Sequence, residues 1–250
     1  MNTLKEILSG FDSISLEEAS NVHLMNRTDI KYIFHRLKLN EILQQLSSDY
    51  KVLEINDNRI NDYQSLYFDT ASHYLYLQHH NSILNRYKIR YRHYASSGDC
   101  FFEIKCKNNK NRTIKNRVTA CYINEYIDEN GINLIKANTT LDASKLQAVL
   151  WVNFSRITLV NRNLKERLTI DTEITFKENN KIVAYPEIVI AEVKQDNFSF
   201  SPYNLLMKKM HIRTGNISKY CFGLISTQEN IKMNNFKHKL MTIKKIYNEI

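Results

Sequence analysis

Polar and apolar residues alternate along several segments of the chain, and this alternation predicts β-strands. Successive side chains of a strand point to opposite faces, so each segment has one apolar face and one face of Arg, Lys and Glu. One run is apolar on both faces until it ends in Glu192 and Lys194, which indicates burial. The segments with charged faces are 87–92, 101–107, 113–118, 167–173 and 188–194.

The same criteria predict the other elements. The segments with charged faces extend to strands at about 85–95, 100–107, 112–121, 165–176 and 182–194. Four more strands are predicted at about 27–35, 50–55, 62–68 and 152–160. A short helix is predicted at about 4–8, and a second helix is predicted to start at the capping box of Ser15. Further helices are predicted at about 39–46, 73–80, 123–130, 140–147, 202–209, 218–225 and 230–247. Many antiparallel strands without obvious free edges predict a closed β-barrel in an α+β protein.

The charged faces have two interpretations. A single strand of this kind usually turns its polar face to water. Glu192 and Lys194, however, end a buried run, and burying them is costly unless they are paired or bound to a ligand. Arg90 and Arg92 carry planar guanidinium groups that suit phosphate oxygens. A barrel with these faces turned inward would surround a polyanion.

Composition supports an anionic partner. The chain has 250 residues and a net charge of +9, with a pI near 9.2. Nucleic acid, anionic lipid and phosphorylated small molecules are the candidate partners. No groove-reading motif is present, so we do not expect duplex nucleic acid as the partner.

The cysteines and the apolar segments bear on metal binding and location. The four cysteines lack C-x-x-C spacing, which favours reduced thiols over a zinc site. The N-terminus has no apolar signal core, and no segment approaches about 18 consecutive apolar residues. We therefore expect a cytoplasmic protein without a membrane segment of its own, which would reach a membrane only through a partner.

An ordered series of short motifs resembles a known family. The motifs are Arg27-Thr-Asp29-Ile-Lys31-Tyr32, Ser65-Leu-Tyr67-Phe68-Asp69-Thr70, Lys88-Ile-Arg90-Tyr-Arg92, Glu103-Ile-Lys105, Lys115-Asn-Arg117, Phe154-Ser-Arg156, Glu166-Arg167-Leu-Thr-Ile-Asp171-Thr-Glu173, Glu192-Val-Lys194 and Ser218-Lys219-Tyr220. Together they resemble the VTC domain, the catalytic module of the vacuolar transporter chaperone complex. That module is a polyphosphate polymerase of the triphosphate tunnel metalloenzyme superfamily. The first strand lacks the Glu-x-Glu-x-Lys motif common in the wider superfamily, which fits the VTC branch better.

The resemblance implies one tunnel domain over residues 1–250, with a core at about 22–226 and a C-terminal helix at about 230–247. Its fold would be a closed antiparallel eight-stranded β-barrel decorated by helices. The γ-phosphate of ATP would be transferred to a growing polyphosphate chain, with Mn²⁺ or Mg²⁺ as cofactor. A tripolyphosphate or nucleoside triphosphate hydrolase and a non-catalytic polyphosphate-binding module remain alternatives. A separately encoded membrane partner is compatible with the resemblance, and the oligomeric state is open.

The resemblance also assigns residues. Lys31, Arg90, Arg92, Lys105, Arg156, Arg167 and Lys219 would act in catalysis and bind phosphate, and Lys115, Arg117 and Lys194 would also bind phosphate. Glu192 would be the metal ligand, because hard divalent cations take carboxylate oxygens. We expect Glu103, Asp171 and Glu173 to orient neighbouring cations, with metal binding as the alternative role. His79 and His80 are expected on a helix surface.

Overall fold

The computed structural model describes residues 3–20, 27–110, 112–163, 165–196 and 200–248. The predicted start of the domain core, at about residue 22, lies outside these residues. In the described ranges, no helix is long and apolar enough to cross a membrane.

The centre of the protein is a large sheet. Its strands are β1 (Ser13–Ile14), β2 (Arg27–His35), β3 (Tyr50–Leu53), β4 (Asn61–Thr70), β5 (Arg86–Tyr94), β6 (Cys100–Lys107), β7 (Thr113–Thr119), β8 (Leu146–Asn161), β9 (Glu166–Glu178), β10 (Lys181–Tyr185) and β11 (Ile188–Asp196). The main path through the sheet is β2-β11-β9-β8-β4-β5-β6-β7. Neighbours along this path are antiparallel, whereas β1 pairs with β3 in parallel. The α+β class is therefore confirmed.

Helices cover the sheet. They are α1 (Leu4–Ser9), α2 (Leu16–Ser20), α3 (Leu39–Leu46), α4 (Tyr74–His80), α5 (Glu129–Asn138), α6 (Pro202–Lys209), α7 (Lys219–Thr227) and α8 (Lys237–Tyr247). The outer face of the sheet is the face that carries the apolar positions of the alternating strands. On one part of it, α1, α3 and α6 pack against β2, β11, β9 and β8. On another part, α5 packs against β4, β5 and β6. The apolar positions of the alternating strands are buried in these two cores.

Helix α7 fills one end of the opposite face. Tyr220 stacks on Tyr67 with a centroid separation of 4.9 Å, and Phe222 contacts Phe176 edge to face at 5.3 Å. The approach is close at Gly223, where a Cβ atom would lie 2.5 Å from Leu150 Cδ2 and 2.6 Å from Phe176 Cδ1. The helix begins at Lys219 because Ser218 caps it, accepting a hydrogen bond from the Cys221 amide. This cap places Lys219 over the charged region of the sheet.

Several predicted elements need correction. The helix predicted at 123–130 is wrong: a helix starts only at Glu129, where Asp128 caps it by accepting from the Gly131 amide at 2.8 Å. Of the helix predicted at 140–147, only a 3₁₀ turn at Ala143–Lys145 forms, since β8 already begins at Leu146 and pairs there with Thr70. The single strand predicted at 182–194 is two strands, β10 and β11. The C-terminal helix is shorter than predicted and begins at Lys237.

Candidate functional site

The predicted charged residues lie on one side of the sheet, which we call the inner face. It is defined by Lys31, Arg90, Glu103, Arg156 and Glu192, which lie opposite the apolar positions of their strands. Strand register sets their neighbours directly: Arg90 is opposite Glu103, Arg156 is opposite Asp171, and Lys31 is opposite Glu192. Lys105 is opposite both Lys88 and Lys115, and Lys194 is opposite Arg167. The register therefore collects charges from several strands on one surface.

The sheet curls around this surface. Lys31 on β2, Lys88 on β5 and Lys105 on β6 line the same cavity, which has a volume of about 1280 Å³. The first of these strands is far from the other two in the hydrogen-bonded order, so they meet only because the sheet bends. The same curl brings Lys194 of β11 into electrostatic range of Lys105.

A first ionic cluster centres on Glu103. This carboxylate is fully buried, accepts from Arg90 Nε and Nη2 at 2.9 and 2.6 Å, and lies 2.5 Å from Lys115 Nζ. Arg90 Nη1 also donates to the Tyr67 hydroxyl at 2.7 Å. Burial opposes ionisation of Glu103, but the charges of Arg90, Arg92 and Lys115 outweigh it and hold the pKa of Glu103 well below its usual range. Glu103 therefore orients cations, as predicted.

A second cluster centres on Asp171. Arg156 donates to it through Nε at 2.6 Å and Nη2 at 2.8 Å, and Lys219 Nζ donates to Oδ2. Lys219 and Arg156 also lie over the Phe154 ring, at 4.6 and 5.1 Å from its centroid. Burial favours the neutral acid, yet Arg156 and Lys219 lower the pKa of Asp171 to about 2. Asp171 is thus an anchor for two predicted phosphate-binding residues.

The third cluster contains the predicted metal ligand. Lys31 Nζ lies 2.7 Å from Glu192 Oε1, and both side chains are about a quarter exposed, at 25% and 22%. Although burial raises it, the pKa of Glu192 is held well below its usual range by Lys194 and Lys31. Burial, together with the charges of Arg156 and Arg167, lowers the pKa of Lys194. Glu192 is therefore an ionised carboxylate that opens onto the basic surface.

The donor set around Glu192 limits the kind of metal site it could form. In the part of the chain that the structure describes, no group of three or more His, Cys, Asp or Glu side chains could hold a metal ion. Mg²⁺ is commonly held by one or two carboxylates together with waters and substrate phosphates. Glu192 fits that mode, in which the phosphate ligand supplies the other oxygens. It does not fit a cage made by protein alone.

Some inner-face cations have no carboxylate of their own. Within the described ranges, neither Arg92 nor Lys105 has an acidic side chain within ion-pair distance. Arg92 Nε donates to Ser65 Oγ at 3.1 Å, and its guanidinium lies 5.5 Å from the Tyr63 ring centroid. The pKa of Lys105 lies well below its usual value because of the charge of Arg90, burial and the charge of Arg92. Such crowding favours an anion between these cations.

The remaining predicted residues lie at the edge of the inner face or leave it. Lys115 and Arg117 lie on the edge strand β7, where Lys115 contacts Glu103 and Arg117 is opposite Glu103, with its guanidinium 4.1 Å from the Phe101 ring centroid. Glu173 does not join the inner face, because it forms an exposed ion pair with Arg36 at 2.9 Å. Its backbone has a φ of 51°, which interrupts the alternation after Asp171.

Sequence reasoning missed Lys88 and misplaced His80. Lys88 Nζ donates to Ser218 Oγ at 2.9 Å, and burial together with the charges of Arg90 and Lys31 lowers its pKa. Its period-two spacing from Arg90 was a usable signal. The surface position expected for His80 is wrong, since His80 is 1% exposed, whereas His79 is half-buried and its Nδ1 atom is buried.

The geometry is that of a protein with a curled antiparallel sheet, whose basic inner face suits the binding of polyanions. The model of the VTC domain matches residues 26–228, so the chain belongs to the VTC domain family. A search of curated proteins found no match.

Solved structures similar to this chain include one from Bacillus halodurans and one from Hippeastrum. A "putative adenylate cyclase" from Bacillus halodurans is 12% identical, with 78% of this chain and 96% of that chain covered and a TM-score of 0.50. A "putative adenylyl cyclase" from Hippeastrum, described as having a dominant triphosphatase activity, is 13% identical, with 82% of this chain and 98% of that chain covered and a TM-score of 0.48. At 12% identity, the likeness to the Bacillus halodurans structure concerns the fold alone.

Proposed function

We propose that this protein is a metal-dependent polyphosphate polymerase that transfers the γ-phosphate of ATP to a growing polyphosphate chain. Membership of the VTC domain family supports an activity on polyphosphate or triphosphate. The observation that carries the proposal is the set of inner-face cations, Arg92 and Lys105 foremost, that have no carboxylate of their own within the described ranges. Phosphoryl transfer depends mainly on positioning and on neutralising phosphate oxygens, which such cations supply.

The proposed path of the phosphate chain is a tunnel. In this proposal the main path of the sheet closes as an eight-stranded barrel around the inner face, within one domain that spans the chain. The large curl that brings Lys31, Lys88 and Lys105 to one cavity supports it. Cations along the tunnel wall would bind successive phosphates of the polyphosphate chain as that polyphosphate chain grows and moves through the tunnel. Arg90 and Arg156, each fixed by a buried carboxylate, would keep their geometry without a ligand.

A divalent cation completes the proposed site. Glu192 would hold Mn²⁺ or Mg²⁺ through one carboxylate oxygen, with the phosphates providing further oxygens. When bound, the ion would neutralise charge on the transferred phosphoryl group. Lys31 contacts Glu192 at 2.7 Å and would keep that carboxylate ionised and oriented.

The inner-face carboxylates favour transfer to phosphate over hydrolysis. A hydrolase benefits from a base that activates water, and a good base has a pKa near the working pH. Glu103, Asp171 and Glu192 are all held by Arg or Lys, with pKa values far below neutrality. The end of a polyphosphate chain is already anionic and needs no base to attack.

The test is incubation of the protein with ATP and Mn²⁺, with products resolved by gel electrophoresis and ³¹P NMR. We expect a polyphosphate ladder and ADP, both strongly reduced in Arg92→Ala. Arg162→Ala, which removes an exposed arginine paired with Asp12, is the matched control and should behave as wild type. Orthophosphate without a ladder would reassign the protein as a hydrolase. Binding of polyphosphate without turnover of ATP would indicate that the protein is a non-catalytic polyphosphate-binding module.

A further inference from the structure

The cavity continues beyond the inner face into a second basic region, which we call the mouth. The mouth is formed by His79 of α4, Arg86 of β5, Lys107 of β6, and Phe236 and Lys239 at the start of α8. Lys110 and Arg112 from the β6–β7 hairpin line the same cavity. Among the described residues that line it, Asp29 is the only carboxylate. The mouth therefore adds positive charge beyond the residues that the proposed reaction uses.

The C-terminal segment is fastened over this mouth. The Tyr76 hydroxyl donates to the Lys232 carbonyl at 2.6 Å, and Asn235 Nδ2 donates to the His80 carbonyl at 2.9 Å. The Asn235 amide also donates to His80 Nε2 at 3.3 Å, which commits His80 to a structural role. These hydrogen bonds hold Phe236 and Lys239 beside α4. The mouth is therefore formed by ordered contacts of the fold.

His79 is the unusual group in this region. Its Nδ1 atom is buried without a hydrogen-bond partner among the described residues, and its ring lies 6.1 Å from the Phe236 ring. A buried polar atom without a partner is costly, and such atoms in functional sites commonly await a ligand or water.

Three elements around His79 contribute positive charge. Burial, with the charges of Lys88 and Arg86 on β5, Lys239 on α8 and Lys107 on β6, lowers the pKa of His79 to about 2. His80 on its own helix is occupied by Asn81 and Asn235. The imidazole is therefore neutral at physiological pH, and only an anion that offsets these cations would allow it to take a proton.

We propose that the mouth is a second polyanion-binding subsite, in which His79 takes up a proton when phosphate oxygens occupy the cavity. The proton comes from solvent and adds to a ring nitrogen lone pair, and nothing is oxidised or reduced. The ligand is the part of a polyphosphate chain that extends past the inner face. The identity of the ligand rests on the proposed function, but the proton uptake does not require turnover.

The test is isothermal titration calorimetry with long-chain polyphosphate at neutral pH, in buffers that differ in ionisation enthalpy. Wild type should take up measurably more protons per bound chain than His79→Gln, by linkage. His238→Gln, at an exposed position on α8 outside the cavity lining, is the matched control and should take up as many protons as wild type. Equal uptake by wild type and His79→Gln would overturn the proposal.

A second variant separates the mouth from the inner face. Lys239→Ala should weaken binding of long-chain polyphosphate about tenfold, the loss expected for one charge-assisted contact, and leave tripolyphosphate binding unchanged. Equal losses for both ligands would overturn a separate subsite. Proton uptake in a protein that proves inactive with ATP would support the mouth while the polymerase proposal fails. Absence of binding by either ligand would reject both.

Discussion

At the scale of single residues, two neighbouring arginines of the inner face should behave differently. Arg90 neutralises the fully buried Glu103, whereas Arg92 has only Ser65 Oγ as a hydrogen-bond partner among the described contacts. We expect Arg92→Ala to lower kcat/KM by about 10- to 100-fold, the value of a charged hydrogen bond to phosphate, with little loss of stability. Arg90→Ala should also lose activity, but it should destabilise the fold by about 3 kcal/mol because it strips a buried charge.

Urea unfolding monitored by circular dichroism checks this contrast, alongside steady-state assays with ATP. The Arg162→Ala variant again serves as the control for removing an arginine. Similar unfolding midpoints for the Arg90 and Arg92 variants would contradict the role given to Glu103.

Asp171 gives a pH prediction at the same scale. Its pKa is about 2 in the folded protein and about 3.9 when unfolded. A lowered folded pKa contributes stability that is present above the unfolded value and lost as pH falls through the folded value. We expect about 2 kcal/mol of unfolding free energy to disappear between about pH 5 and about pH 2.

Asp171→Asn should remove this part of the acid sensitivity and be less stable than wild type at neutral pH. The two proteins should converge in stability near the low end of that range. Asp12→Asn, which breaks an exposed pair with Arg162, is the control and should change the profile much less than Asp171→Asn, because solvent screens that pair. Parallel profiles for wild type and Asp171→Asn would count against the cluster.

At the scale of elements, α7 should be sensitive to any added volume at Gly223. A Cβ atom there would lie 2.5 Å from Leu150 Cδ2 and 2.6 Å from Phe176 Cδ1. We expect Gly223→Ala to destabilise the protein by about 1–3 kcal/mol, the usual cost of overpacking. The displaced helix would also move Lys219 away from Asp171, so activity should fall in step with stability.

Thermal unfolding and an ATP turnover assay measure both effects. Gly10→Ala is a suitable control, because its Cβ would meet only the Ile7 carbonyl oxygen at 3.4 Å. An unchanged melting temperature for Gly223→Ala would mean that α7 does not pack this tightly.

Elements also show what could be predicted from sequence. Local periodicity was sufficient for β2, α3, β6 and α6, whose observed bounds match the predicted ones. It failed where partners are distant: Leu146 enters a strand because Thr70 is available to pair with it. The site follows the same rule. Alternation was enough to expect cations and carboxylates on one face, but which cation holds Glu103 depends on register between strands. Glu173 does not lie on the inner face because its positive φ angle interrupts the strand locally. The alternation of polar and apolar residues does not predict such an interruption.

At the scale of the whole molecule, the excess of positive charge matters most: it is +9 in total, and much of it is concentrated on a curled inner face and its mouth. Like charges crowded in this way oppose folding of the free protein. We expect moderate sodium chloride to raise the melting temperature by screening, since the Debye length falls to about 8 Å at physiological ionic strength.

Tripolyphosphate should stabilise the protein far more than sodium chloride of matched ionic strength, because it binds the folded state only. At a concentration about 100 times its Kd, linkage gives about 2.7 kcal/mol. The measurement is differential scanning fluorimetry of wild type, Arg92→Ala and Arg162→Ala with each salt. The ligand-specific shift should shrink in Arg92→Ala and persist in Arg162→Ala. If tripolyphosphate and matched sodium chloride gave equal shifts in wild type, the inner face would be a diffuse basic surface, and its cations would not converge on one polyanion.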